Sequence, residues 1–340
     1  FVPEAAFGEG GSRLRATIDA YEHDAVHPVA KQMGFNTDVF MLGMEPLCVL
    51  LWWGDLSTMR RGVTKALDAH SRVLERVQAG SAPADGFGYE SVISTFLSNA
   101  LLLAGEYDAL RSFLSRSLTG AALTDDSVKA GVATYWASAF GGWKAEDGHC
   151  YSTFETWLLV QRGLACLLEE LPEVADDGAA EKARAALRGW LPTVADLLRI
   201  TELEVAWRSN AWSANHPALL LARLYGERLG EWGVVVEVAT GVLSIEAFNP
   251  LLRSEALLLR GRAHAAMGSL ASACEDARAA AAEAAGARYV WIETRALNAL
   301  LKWCAVSEAD GVRARLDDVM GRMAASREEA GMAMAADRDA

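Results

Sequence analysis

A recurring phrase dominates this sequence: an apolar helix ends at a glycine, and a second amphipathic helix follows. The clearest copy runs from Ala256 through Gly261 to Gly268 and continues through Ala273 and Ala280. A glycine at a helix C-terminus adopts the left-handed conformation that ends the helix, and small residues let two helices approach closely. One such hairpin cannot bury its apolar stripe alone, so several hairpins must stack.

Three more copies of the phrase centre on Gly54, Gly105 and Gly230. The spacing between linker glycines is uneven, with 38 residues from Gly230 to Gly268 and 51 from Gly54 to Gly105. Short helices are therefore expected to alternate with long ones, with loops between them. The pattern predicts an all-α fold, a right-handed solenoid of helical hairpins.

The composition agrees with an elongated helical array. Hydrophobic residues make up 52% of the chain, which is enough to fold and excludes wholesale disorder, and prolines number 8. At 340 residues the chain is longer than one compact core usually grows.

The predicted organisation is a flexible lead-in over 1–16, the array over 17–325 and a frayed tail over 326–340. An irregular helical insertion is expected at about 150–213. Because the sequence starts at Phe1 with no signal-peptide pattern, we expect a processed chain or a piece of a longer polypeptide.

The glycine-centred phrase resembles the tetratricopeptide (TPR) repeat, best at Leu257, Gly261, Ala273 and Ala280. The resemblance implies a superhelix that binds proteins or peptides along the first helix of each hairpin, with no catalytic activity of its own.

A narrower likeness rests on four motifs in order. They are His23-Asp24, Leu50-Leu51-Trp52-Trp53-Gly54-Asp55, Trp136 with Gly142-Trp143-Lys144-Ala145-Glu146-Asp147-Gly148, and Arg253-Ser254-Glu255-Ala256-Leu257-Leu258-Leu259-Arg260-Gly261. This order is similar to the C-terminal TPR region of large signalling ATPases that also carry cyclase and ATPase domains. The insertion departs from that pattern, and this sequence contains neither of those domains, so neither activity is carried over.

The charge balance argues against nucleic-acid binding. The net charge is −13, from 32 basic and 45 acidic residues, and the sequence has no basic cluster to displace phosphate counterions. The most apolar stretch, Val39 to Trp53, is too short to cross a bilayer and contains Glu45 and Pro46. We expect neither a nucleic-acid partner nor membrane insertion.

The cysteines predict a reducing environment. They are odd in number, widely spaced and without a CxxC pair. The pattern is typical of small buried apolar side chains, so we expect free thiols in the cytoplasm or an organelle interior. The five are Cys48, Cys150, Cys166, Cys274 and Cys304.

Motifs for catalysis are scarce. The sequence has no GxxxxGK[ST], GxSxG or HExxH pattern. His23 and His27 share a helix face, but no further ligand follows at a recognisable spacing, and Pro28 disturbs the helix. His149-Cys150 is interpreted as a loop pair rather than a nucleophile and its base. No cofactor, no metal and no catalytic residue are predicted.

The TPR resemblance places the binding surface on the first helices. Positions six residues before each linker glycine would point into the groove, and a few polar neighbours would share that face. This gives Cys48, Asn99, Leu224 and Arg262, with Thr95, Glu227 and Glu255 beside them. Asn99 and Arg262 resemble polar residues with which some TPR grooves hold a peptide carboxylate, but a mixed apolar and polar groove is the expectation here.

The sequence therefore favours a protein-interaction scaffold, or the sensory or assembly region of a signalling protein. An alternative is a structural subunit of a multiprotein complex. An alternative from another class is an all-α enzyme or small-molecule sensor with a site near Trp136–Cys150 or Trp207–His216.

Overall fold

The computed structural model describes residues 46–47, 49–78, 87–116, 142–144, 150–152, 160, 162–167, 177–206, 217–245, 250–305 and 308–336. A π-helical turn at Val49–Trp53 comes first. The helices are α1 Leu56–Gln78, α2 Phe87–Ala104, α3 Tyr107–Arg116, α4 Asp177–Arg188, α5 Val194–Ala206, α6 Pro217–Leu229, α7 Trp232–Leu243, α8 Pro250–Ala266, α9 Leu270–Gly286, α10 Val290–Trp303 and α11 Ala309–Ala336. Helices dominate the described residues, which confirms the predicted all-α class.

The chain divides into two compact units. Unit 1 comprises 1–132, 288–294 and 314–340, and unit 2 comprises 133–287 and 295–313. The chain positions of α10 and α11 fall in both units. Within the helices described above, none has the length and apolar character needed to cross a membrane.

The four predicted linker glycines end their helices in the left-handed conformation. Their φ angles are 60° at Gly54, 74° at Gly105, 75° at Gly230 and 82° at Gly268. Backbone hydrogen bonds close these turns. The N–H of Glu106, which follows Gly105, donates to the Leu101 carbonyl at 2.9 Å, and the N–H of Gly54 donates to the Leu50 carbonyl at 2.9 Å. These bonds satisfy carbonyls that a helix end leaves unpaired. The prediction of glycine-terminated helices is confirmed.

Unit 2 contains two antiparallel helical hairpins. In α8/α9, Arg260 pairs with Asp276, and Arg253 pairs with Glu283. The residue numbers of the partners on α9 fall as the residue numbers on α8 rise, as antiparallel helices require. A Cβ on Gly261 would lie 3.2 Å from the Ala273 carbonyl oxygen, so the two backbones approach closely there. Fully buried alanines along α9, Ala273, Ala277 and Ala280, permit that approach.

Successive hairpins of unit 2 stack in the same direction. The core cluster of Leu219 and Val242 from α6/α7 with Leu252 and Ala256 from α8 fills the space between hairpins. Leu219 lies near Leu252 in this cluster, and farther along α6 Glu227 pairs with Arg262, so α6 and α8 run parallel. α7 also packs on α8, and α6 contacts α8 directly. Burial between neighbours therefore supplies what a single hairpin lacks.

The region of the predicted insertion differs from the expected pattern. Gly142–Lys144 and Cys150–Ser152 form a two-stranded antiparallel ladder that pairs Trp143 with Tyr151, at the start of the stretch predicted as a helical insertion. Farther along, α5 starts at Val194, where Thr193 Oγ accepts from Asp196 N–H at 3.2 Å and donates to the Asp196 carboxylate at 2.8 Å. This reciprocal cap fixes the helix start. At the other end of the chain, α11 continues to Ala336, into the stretch 326–340 that the sequence predicted as a frayed tail.

Unit 1 is tied together by aromatic side chains. Trp52 contacts Tyr289 edge-on, with ring centroids 5.1 Å apart. Trp291 Nε1 donates to the carbonyl of Leu103 at 2.9 Å, so the last turn of α2 gains a partner for one terminal carbonyl. These contacts join segments that lie far apart in the sequence.

A buried carboxylate also anchors α11 in unit 1. The side chain of Glu293 is 2% exposed and accepts bonds from two arginines of α11. Arg315 Nε and Nη2 reach Oε1 at 3.0 and 2.8 Å, and Arg322 Nη2 reaches Oε2 at 3.0 Å. Both arginines are partly exposed and seven residues apart, so they lie on one face of α11. The buried charge is therefore well compensated.

We predict that Gly268→Val lowers the free energy of unfolding by about 1–2 kcal/mol, because a β-branched residue is strained in the left-handed region. The space around a Cβ at Gly268 is open, so the cost comes from the backbone alone. Gly286→Val is the matched control: Gly286 ends α9 with open space and is not among the glycines of positive φ. It should change stability by less than about 0.5 kcal/mol. Urea unfolding followed by circular dichroism measures both; equal stabilities would contradict the turn geometry.

We predict that Glu293→Gln lowers the free energy of unfolding by about 2 kcal/mol, because hydrogen bonds to a charged group are stronger than those between neutral groups. Asp108→Asn is the control, since the Asp108 carboxylate is 98% exposed and pairs with Arg111 one turn away. Its cost should stay within a few tenths of a kcal/mol, about the contribution of a surface pair. Urea unfolding compares the two variants, and a Glu293→Gln midpoint equal to that of the control would disprove the anchoring role.

Candidate binding face

Ion pairs join the helices α6, α8 and α10 within unit 2. Glu227 on α6 accepts hydrogen bonds from Arg223, one turn away, and from Arg262 on α8. Glu255 on α8 accepts one from Arg295 on α10. We call the surface formed by these five residues the α6/α8/α10 face. Three helices thus contribute to one continuous row of charges.

The arginines of this face are more exposed to solvent than the glutamates with which they pair. The side chains of Glu227 and Glu255 are each 17% exposed, whereas Arg262 is 49% and Arg295 is 35% exposed. Solvent therefore meets guanidinium groups more than carboxylates. The face carries three arginines against two glutamates, although the whole chain has a net charge of −13.

Arg260 and Arg262 illustrate the two sides of α8. Arg260 binds Asp276 through two nitrogens, with Nε–Oδ2 at 3.0 Å and Nη2–Oδ1 at 2.6 Å. Asp276 is 7% exposed, so this bidentate pair is structural. Arg262 uses Nη1 alone for Glu227, and its guanidinium carbon lies 5.9 Å above the ring of Trp232. The ring supports the guanidinium without using its remaining N–H groups.

The residues predicted for the groove are not all brought together. Glu227 and Arg262 pair directly, and Glu255 lies on the same surface beside Arg295. Leu224 is fully buried in the unit 2 core, so it lines no surface. Asn99 is also fully buried, and its side-chain oxygen and nitrogen have no hydrogen-bond partner within the described structure. Cys48 and the side chain of Thr95 lie outside the described residues.

Three residues of this region were not predicted: Arg223, Trp232 and Arg295. Arg223 stands four residues before Glu227, which is the spacing of a helical ion pair and could have indicated it. Trp232 follows Gly230 by two residues, as the first residue of the second helix. Arg295 could not be paired with Glu255 from sequence, because 40 residues separate them.

A disulfide joins Cys274 of α9 to Cys304 after α10, with Cα atoms 5.7 Å apart, a separation suited to such a bond. The prediction that all five cysteines are free thiols is therefore wrong for this pair, and the predicted reducing compartment loses its basis. Folding brings together cysteines that are 30 residues apart. Cys166 keeps its thiol, whereas the side chains of Cys48 and Cys150 are outside the description.

The surroundings raise the pKa of three described side chains: Arg60, Arg188 and Tyr225. Hydrogen bonds to Glu106 and to Glu231 raise the pKa of Arg60 and Arg188. Burial raises the pKa of Tyr225, whose hydroxyl donates to the carbonyl of Pro192 at 2.8 Å. All three shifts lie away from neutral pH, so none marks an acid–base pair there. In the same residues, no cluster of three potential metal ligands occurs.

The sites considered for an enzyme or sensor fall mostly outside the described residues. Of Trp136–Cys150, the structure describes Gly142–Lys144 and the Cys150 backbone, which form the small ladder. The stretch Trp207–His216 lies outside the description altogether.

Comparisons of the chain with protein-family models, with curated proteins and with solved structures give no match. The α6/α8/α10 face is therefore interpreted from its own geometry.

Two neighbouring arginines should differ sharply in their contribution to stability. We predict that Arg260→Gln costs about 2–4 kcal/mol, because it leaves the Asp276 carboxylate buried without its bidentate partner. Arg262→Gln should cost less than about 0.5 kcal/mol, since Arg262 is half exposed and Glu227 keeps Arg223. Chemical unfolding of both variants gives the comparison, and a large cost for Arg262→Gln would reassign that side chain to structural stabilisation.

Proposed function

We propose that this chain is a TPR-like scaffold that binds a protein segment along the α6/α8/α10 face. The observation that carries the proposal is the row of ion pairs that joins α6, α8 and α10, with arginines more exposed than the carboxylates they bind. In this proposal the stacked hairpins continue as a right-handed superhelix.

The shape of the hairpins supports a binding role. Parallel first helices place side chains from several repeats on one surface, which an extended or helical segment can follow. The second helix α7 packs behind α6 and against α8 of the next hairpin. Loss of one side chain on the face should therefore weaken binding without changing the fold.

The chemistry of the face supports recognition of polar groups on a partner. Arg262 has one nitrogen engaged, so its other N–H groups remain for acceptors brought by a partner. Arginine supported by an aromatic ring is enriched at binding hot spots because it combines area with directional donors.

The test is affinity capture from native extract of the source organism, with quantitative mass spectrometry. We predict that Arg262→Glu reduces recovery of a stoichiometric partner at least ten-fold, because it reverses a charge at the centre of the face. Arg278→Glu is the matched control: Arg278 is 47% exposed and pairs with Glu308, but it lies on α9. It should recover the partner as the wild-type protein does.

Circular dichroism must show the same helicity for both variants. Equal recovery by the wild type and both variants would show that binding, where it occurs, uses another surface. Equal loss from both variants would indicate a general effect of negative charge rather than a specific face.

A further inference from the structure

The Cys274–Cys304 disulfide connects two elements that approach from different repeats. Cys274 lies in the first turns of α9, the second helix of its hairpin. Cys304 directly follows α10, and its N–H donates to the Leu300 carbonyl at 2.9 Å, which continues the helical hydrogen bonding. The bond therefore attaches the C-terminal end of α10 to the α8/α9 hairpin.

Several contacts hold α10 on this hairpin within unit 2. Arg295, the first residue of α10 that belongs to unit 2, pairs with Glu255. At the other end, Trp303 packs near Gly261, where a Cβ would lie 3.1 Å from its ring. Arg278 on α9 and Glu308, which follows α10, form an ion pair of half-exposed side chains. Such surface ion pairs contribute little to stability. The disulfide is thus the strongest constraint at the C-terminal end of α10.

The two sulfurs differ in access. Cys274 is 6% exposed, whereas Cys304 is partly exposed at the helix end. Thiol–disulfide exchange requires a thiolate to reach one sulfur, so attack at Cys304 is favoured. An attack there releases the Cys274 thiolate, which is the more buried of the two.

We propose that the Cys274–Cys304 disulfide is a redox-sensitive clasp that fixes the C-terminal end of α10 against the α8/α9 hairpin. A dithiol reductant opens it. One thiolate of the reductant attacks Cys304 Sγ, the S–S bond breaks, and Cys274 leaves as a thiolate that takes up a proton. The second reductant thiol then displaces Cys304 as a thiol, so the reductant becomes a disulfide and two electrons reach the protein.

The clasp also bears on the α6/α8/α10 face, and this consequence rests on the proposed function. Arg295 lies on the helix that the clasp holds. When the disulfide is reduced, the C-terminal end of α10 becomes more mobile, and Arg295 on this helix is held less firmly in the face. Reduction should therefore weaken a partner that contacts Arg295 more than one that contacts Arg262 alone.

The experiment uses the full chain without a partner, so its result is independent of the proposed function. Peptide mapping of the purified, non-reduced protein should find the Cys274 and Cys304 peptides linked. Hydrogen–deuterium exchange is then measured before and after dithiothreitol. We expect exchange in the peptide covering 295–304 to rise at least ten-fold on reduction, with the α6/α7 hairpin unchanged.

Two cysteine variants complete the test. Cys304→Ser should show the fast exchange without reductant and should not respond to it, whereas Cys166→Ser should behave as the wild type. Absence of the linked peptide from the oxidised protein would overturn the clasp. Exchange at 295–304 that stays constant on reduction would overturn it too, because packing alone would then hold α10.

Discussion

A left-handed residue at the end of a helix determines how this chain can fold. The hydrogen bonds that close such a turn fix the direction in which the chain leaves the helix, and at Gly268 the next helix begins two residues later, at Leu270. With so short a connection the second helix must return along the first. At Arg288 a residue other than glycine adopts φ 58°, at a cost of roughly 1–2 kcal/mol.

Local chemistry explains which features the sequence could predict. The linker glycines and the small residues of α9 act on their immediate neighbours, so their positions and spacing indicate the hairpins directly. The cysteine pair and the Glu255–Arg295 pair depend on elements 30 and 40 residues apart, whose proximity exists only after the hairpins stack. Register was the other limit. Leu224 and Glu227 stand three residues apart and only about 60° apart around the helix, yet Leu224 lies in the core while Glu227 reaches the surface.

Helix α8 shows how one element serves two surfaces with similar residues. Arg260 faces its own hairpin partner and satisfies a nearly buried aspartate with two nitrogens. Arg262, two residues on, faces the neighbouring hairpin and forms a single bond to a carboxylate that a second arginine already holds. Burial decides the difference, because a buried carboxylate requires complete compensation while a partly exposed one does not. The same residue type is thus fixed on one side and available on the other.

A surface assembled from successive first helices exists only while the hairpins remain stacked. The pairs Glu227–Arg262 and Glu255–Arg295 join different helices, so they are lost when a helix shifts even if every helix stays intact. Stacked hairpins derive much of their stability from contacts between neighbours, and a helix at the edge of a stack has fewer of them. The third helix of the face is α10, and there the chain adds a covalent bond to the α8/α9 hairpin. The disulfide thus constrains the element of the face whose placement depends most on long-range contacts.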